Sequence, residues 1–308
     1  MKKTLILLAI LASQLACFAQ TKFAITFNQG FGQLPTFTNY NESGLLTMKQ
    51  AEDAFNYVKN DVDIEWRYSY AGCEKRAHAV SLLLKGKKVK HYKIWNFDPM
   101  MISLFNKSQK PTVNSKAGLS PKVSWGYHVA ILVFVKDGEK IKPMVIDPAL
   151  DDKLLTQQQW LDLQNTPTSY YTYLDPKWYN YATTDKFKYS CQGIASPFPP
   201  CMDGLLTGDF FLNEDISLTG MWVEEALAVN QLAMKIITEI INKEPANSDR
   251  KKAFTELVEN FVNLTNALSG TSLTDSIKIY ADILKPYQSQ FTTIKQSWKS
   301  KLAPLRQQ

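Results

Sequence analysis

The sequence predicts an α+β protein in which a helix beginning at a cysteine packs on an antiparallel sheet, followed by a C-terminal helical bundle. Three observations predict it. Cys73, Ala77, Val80 and Leu84 fall at i, i+4, i+7 and i+11, one apolar stripe of a helix. "VSWGYHVAILVFV", then "KDGEK", then "IKPMVIDP" read as a strand, a hairpin turn and a returning strand, rich in β-branched and aromatic residues. The C-terminal third changes character, with long amphipathic patterns over 218–241, 250–268 and 273–302, the last expected to kink at Pro286.

The elements follow in order. Residues 1–19 read as a signal peptide: Lys2 and Lys3 form the charged end, an apolar run too short to span a bilayer follows, and Cys17-Phe18-Ala19 makes a small-x-small cleavage site. Export to the periplasm or medium is the implied destination. A lipid-attachment reading at Cys17 competes, but it lacks the aliphatic residue that such sites carry where this chain has Gln14. Residues 20–47 mix short apolar runs with Gly, Asn and Pro, and 20–50 is set apart as an N-terminal segment. Over 47–60, Ala51, Ala54, Phe55 and Val58 have helical spacing. The Cys73 helix stops at Gly86, with Lys85 near its negative end. "KVKHYKIWNF" alternates like a strand, 106–122 is a loop, 156–163 is helical, and 165–210 reads as loops and short strands. Domain limits follow: a domain over 51–202 that carries the cysteine helix and the hairpin, and a helical domain over 203–308.

Composition excludes several classes. The chain has 308 residues, 45% of them hydrophobic and 21% charged, which is ordinary for a soluble globular protein. Its net charge of +6 falls to +4 once Lys2 and Lys3 leave with the signal peptide, no basis for a nucleic-acid binder. No transmembrane segment is expected in the mature chain. Three scattered histidines, with neither Cys-x-x-Cys nor His-Glu-x-x-His, make a metal site unexpected, and no cofactor is called for. The Lys85, Lys87, Lys88 and Lys90 cluster reads as a solvated helix end.

Cys191 and Cys201 bracket a short Pro/Gly loop, and export makes a bridge between them plausible. Cys73 is then left over. A buried small hydrophobe is the bland account of such a residue. Its place at a helix N-terminus favours thiolate, and N–H groups there could hold an oxyanion. The hairpin supplies partners. A two-residue Asp137-Gly138 turn pairs Lys136 with Glu139, so that facing residues sum to 275 and His128 stands across from Asp147. A four-residue loop keeps this register and a three-residue loop breaks it, while Pro143 requires an edge or a bulge. Facing Asp and His residues are either an ordinary polar cross-strand pair or the orienter and base of a nucleophilic triad. With Cys73 they make a complete nucleophile, base and orienter set. His78, about 140° around the helix from Cys73, points away and reads as structural, and His91 as a strand or surface residue.

"GCEKRAH" at 72–78, "SWGYHVAILV" at 124–133 and "VIDPAL" at 145–150 resemble the bacterial protein-glutaminases, protein-glutamine deamidases with a papain-like or transglutaminase-like core. The resemblance covers roughly 50–165 and not the C-terminal helices. It implies Cys73 as nucleophile, His128 as base and Asp147 as orienter, with glutamine-containing proteins or peptides as substrates. Trp125 either shapes the acyl pocket beside His128 or simply packs. The same triad would serve a transglutaminase or a cysteine peptidase. A binding or toxin-associated protein with a vestigial triad is the alternative from another class.

Overall fold

The computed structural model describes residues 44–101, 107–165, 170–183, 208–211 and 222–307. The expected signal peptide, Cys17, and the Cys191 and Cys201 bridge lie outside the described residues. Helix α1 (Met48–Asn56) starts at Thr47, whose side chain takes the Gln50 N–H while the Gln50 side chain takes the Thr47 N–H, a capping box. A π-helical turn, Tyr57–Asp61, continues it. All four residues of its expected apolar stripe are buried. Helix α2 (Cys73–Gly86) is buried around almost its whole girth, and Lys85, Gly86, Lys87 and Lys88 emerge into solvent at its end.

Strands β1 (Tyr92–Phe97), β4 (Tyr127–Asp137), β5 (Lys140–Ile146), β6 (Leu155–Thr156) and β7 (Tyr170–Leu174) form one sheet in the order β6-β5-β4-β1-β7. Every paired neighbour in it is antiparallel. The fold is α+β, as expected. The long expected strand divides at Trp125-Gly126: β3 (Lys122–Ser124) pairs instead with β2 (Thr112–Asn114), and β4 begins at Tyr127. Strands β8 (Asn180–Thr183) and β9 (Gly208–Phe211) form a separate pair.

The hairpin register corrects the expectation. Asp137 faces Lys140 and Ile131 faces Ile146, so facing residues sum to 277. Gly138, at φ +62°, takes the first central position of the turn, where a residue with positive φ is needed and glycine is the cheapest choice. The slip is two residues, so side-chain faces are preserved. Asp147 consequently lies diagonal to His128 instead of directly opposite. Pro143 sits within β5 opposite Phe134.

Strand β4 is buried on both faces. Ile131, Val133 and Val135 pack with Ala79, Val80, Leu83 and Leu84 of α2. Ala130, Leu132 and Phe134 pack with Trp160 and Leu161 of helix α3 (Gln157–Leu163). The C-terminal patterns become α4 (Val223–Glu239), α5 (Asp249–Glu259), α6 (Phe261–Ser269), α7 (Asp275–Lys278) and α8 (Ala281–Arg306). The middle pattern breaks at Asn260, whose side chain caps α6. Helix α8 runs unbroken through Pro286 and Pro304. Val223, Leu227, Trp298 and Leu302 lie in the same apolar cluster as α2 and β4, so the C-terminal helices complete the core beneath the cysteine helix.

Candidate active site

Gly72 begins the site. At φ +79° it turns the chain into α2 through a left-handed conformation, placing Cys73 in the first turn. The two residues' surroundings come from elsewhere in the chain: Arg76 donates through Nη1 to the carbonyls of Tyr68 (2.9 Å) and Ala71 (3.1 Å), pinning the approach to Gly72. With the Asn230 amide turned to satisfy both its ends, Asn230 accepts from Arg76 Nη1 at 2.9 Å and donates to Ala226 O at 3.2 Å. A residue of α4 thus braces the cysteine loop.

The β4–β5 ladder ends at Ile131 and Ile146, so the edge of β4 beyond it is open to α2. There Val129 meets Cys73 across a small cavity. Cys73, His128, Asp147 and Arg76 line one small cavity. They are 6%, 1%, 4% and 2% exposed. His128 Nε2 lies 2.7 Å from Asp147 Oδ2. The same carboxylate oxygen accepts from Trp160 Nε1 at 2.8 Å, and Oδ1 accepts from the Ala149 N–H at 3.2 Å. The imidazole is clamped between two indoles, Trp125 at 4.6 Å and Trp160 at 5.6 Å between ring centroids. Trp125 is itself held by a 2.8 Å bond from Nε1 to Ser69 O.

Burial opposes ionisation of Asp147, but the adjacent His128, with the His128 and Trp160 hydrogen bonds, holds its carboxyl below the usual range. An ionised Asp147 fixes the imidazole with its proton on Nε2. Nδ1 is then an acceptor, and among the described residues it has no hydrogen-bond partner. The thiol does not fill it. Cys73 Sγ is 3.4 Å from Glu74 Oε2, and Glu74 Oε1 is also bonded to Lys75 Nζ. Burial first, and the Glu74 charge second, push the thiol well above its ordinary value. The thiolate favoured by helix position alone is therefore not the state of this closed site.

The three residues expected from sequence are gathered in one cavity, with Trp125 beside the base. His78 is engaged elsewhere, 3.2 Å from Lys93 Nζ and edge-on to Tyr179. His91 is corrected: it is buried just before β1, bonded to Ser81 Oγ and Val89 O at 2.8 Å each, and burial lowers it to about 4. Sequence reasoning missed Trp160, Glu74 and the bracing role of Arg76. Arg76 stood in the quoted "GCEKRAH", whereas Trp160 had no signal beyond being an aromatic residue on a short helix.

Residues 51–164 match a family model described as glutaminase. Among solved structures, the NMR structure of protein-glutaminase from Chryseobacterium proteolyticum is 17% identical, over 66% of this chain and 95% of that one, with a TM-score of 0.39. A crystal structure of protein-glutaminase is 16% identical over 67% and 94%, with a TM-score of 0.39. One of pro-protein-glutaminase is 18% identical over 70% and 64%, with a TM-score of 0.40. No curated protein matches this chain.

Proposed function

Because residues 51–164 belong to the glutaminase family, we propose that the chain hydrolyses the side-chain amide of glutamine in proteins or peptides, with Cys73 as nucleophile, His128 as base and Asp147 as orienter. The observation that carries this reading is the shared cavity: Cys73 lines it together with a buried His128–Asp147 pair, and the ring's Nδ1 has no hydrogen-bond partner among the described residues.

The chemistry follows from the protons. The Cys73 thiol turns its S–H from Glu74 to His128 Nδ1 and gives up the proton there, and the charge that forms on the ring is balanced by Asp147. The thiolate attacks the carboxamide carbon, and the oxygen charge that develops falls near the α2 N-terminus, where the Cys73 N–H is the proposed donor. The intermediate collapses as His128 returns the proton to nitrogen and ammonia leaves. Water then gives a proton to His128 and attacks the thioester carbon, and the released thiolate is reprotonated, leaving glutamate. Trp125 and Trp160 keep the imidazole plane fixed while its charge changes.

A thiol only 6% exposed admits no glutamine side chain, so turnover requires the cavity to open. The domain limits 51–202 and 203–308 remain our assignment, with the second unit bracing the cysteine helix through α4 and α8. Export and release to the periplasm or medium rest on the N-terminal sequence alone. Ammonia release from a glutamine-containing protein, measured for the chain and for Cys73→Ala, tests the function. We expect release by the former, reduced to background in the latter, without crosslinks or new N-termini. Crosslinking would make the chain a transglutaminase, cleavage a peptidase, and equal release from both forms would remove the thiol mechanism.

A further inference from the structure

Glu74 is a buried carboxylate at the sulfur that the reaction above does not use. Its oxygens are divided. Oε1 takes Lys75 Nζ, and Oε2 takes the Cys73 thiol at 3.4 Å. Lys75 is buried too, with Nζ 5.9 Å from the centre of the Tyr179 ring. Burial works against the charge on Glu74, but Lys75 beside it prevails and keeps the carboxyl below the usual range. The acid is therefore ionised at neutral pH.

A thiol has one proton, so it cannot serve Glu74 and His128 together. Once that proton moves to His128, Glu74 Oε2 loses its donor inside the protein, and an acceptor stripped of its partner there is costly. The substrate can restore it. An amide carbon poised for attack lies about 3–3.5 Å from the sulfur. Its nitrogen then comes within reach of an oxygen only 3.4 Å from the same sulfur.

We propose that Glu74 is a specificity-determining residue, its Oε2 accepting an N–H of the substrate carboxamide and repelling the carboxylate that replaces it in the product. The proposal rests on the deamidase reading. A glutamine amide offers two donors, whereas a glutamate side chain offers none and brings a like charge. Glu74 remains deprotonated throughout, so the proton that leaves with ammonia still comes from His128. One side chain thus quiets the thiol in the empty site, selects the amide in the filled one and disfavours retention of the product.

Calorimetric titration of the full-length Cys73→Ala chain tests this without turnover. The probes are a blocked peptide containing one glutamine and the same peptide carrying glutamate. The glutamine form should bind roughly tenfold or more tightly, the range expected when a buried charge is left unpaired. Adding Glu74→Gln, whose amide can donate as well as accept, should bring the two peptides to within about twofold. If Glu74→Gln unfolds the chain by stranding Lys75, Glu74→Gln with Lys75→Met removes both charges and answers the same question. Preference surviving either exchange, or no preference or no binding in Cys73→Ala alone, overturns the role of Glu74. Ammonia release by the unmodified chain separates the two hypotheses. Release with unchanged preference refutes only Glu74, whereas no release refutes the deamidase.

Discussion

Trp160→Phe isolates the support beneath the proposed orienter. The indole is fully buried, donates to Asp147 Oδ2 at 2.8 Å and stacks on His128. Phenylalanine keeps an aromatic ring but removes the donor. A hydrogen bond to a charged acceptor contributes about 1.5–3 kcal/mol. The missing ring atoms leave a gap in a core that also holds Leu132, Val145 and Leu155, worth about 1 kcal/mol more. The sum, about 3 kcal/mol, should be read as a shift in urea or guanidinium midpoint at pH 7.

The charge-dependent part has a direction in pH. Because the folded fold depresses the Asp147 carboxyl, its stabilisation is complete above the unfolded value of about 3.9 and disappears as pH falls through the lower folded value. The Trp160→Phe penalty should therefore shrink in acid toward the packing share of about 1 kcal/mol. It should shrink likewise in an Asp147→Asn background at pH 7, where the acceptor is neutral. A penalty below about 1 kcal/mol at pH 7, or one that is the same in acid and in the Asn background, would refute the reasoning.

Other changes reach the site from its supports. Gly72→Ala meets only ordinary contacts, Phe261 Cζ at 3.6 Å and the Asn230 amide at 3.8 Å, so its cost is that of a left-handed backbone, about 1–2 kcal/mol in a denaturation midpoint. Trp298→Ala, on α8 but packed in the α2 cluster, should cost about 3–5 kcal/mol and melt both parts of the molecule in one transition. Loss of the C-terminal signal alone would show that the two parts fold apart. Iodoacetamide should label Cys73 at pH 7 at least about tenfold more slowly than a free cysteine, because the thiol is both covered and shifted upward. Guanidinium should restore the ordinary rate, and rapid labelling of the folded chain would show an open, activated thiol instead.

What could be read from sequence was whatever local chemistry determines. Ala51, Ala54, Phe55 and Val58 mark the first helix, Cys73 to Leu84 carry one stripe, and the pleat parity joining His128 to Asp147 survives a two-residue register slip. The slip itself escaped because Asp-Gly serves either as the two central residues or as an edge residue followed by the turn glycine, and only the backbone angle at Gly138 decides. Long-range partners escaped for a different reason. Trp160 reaches Asp147 from a separate helix, and Asn230 reaches Arg76 from one still further along the chain, so neither contact leaves a periodicity to find. Glu74 is the sharpest case. A first-turn glutamate reads as a favourable charge at a helix start, yet its burial turns the same carboxylate into the group that holds the neighbouring thiol protonated. Helix position argues for a thiolate, and desolvation with one adjacent charge argues more strongly against it. The reactivity of Cys73 is therefore a property of which partner occupies Glu74, and a sequence that places the two residues side by side does not specify that.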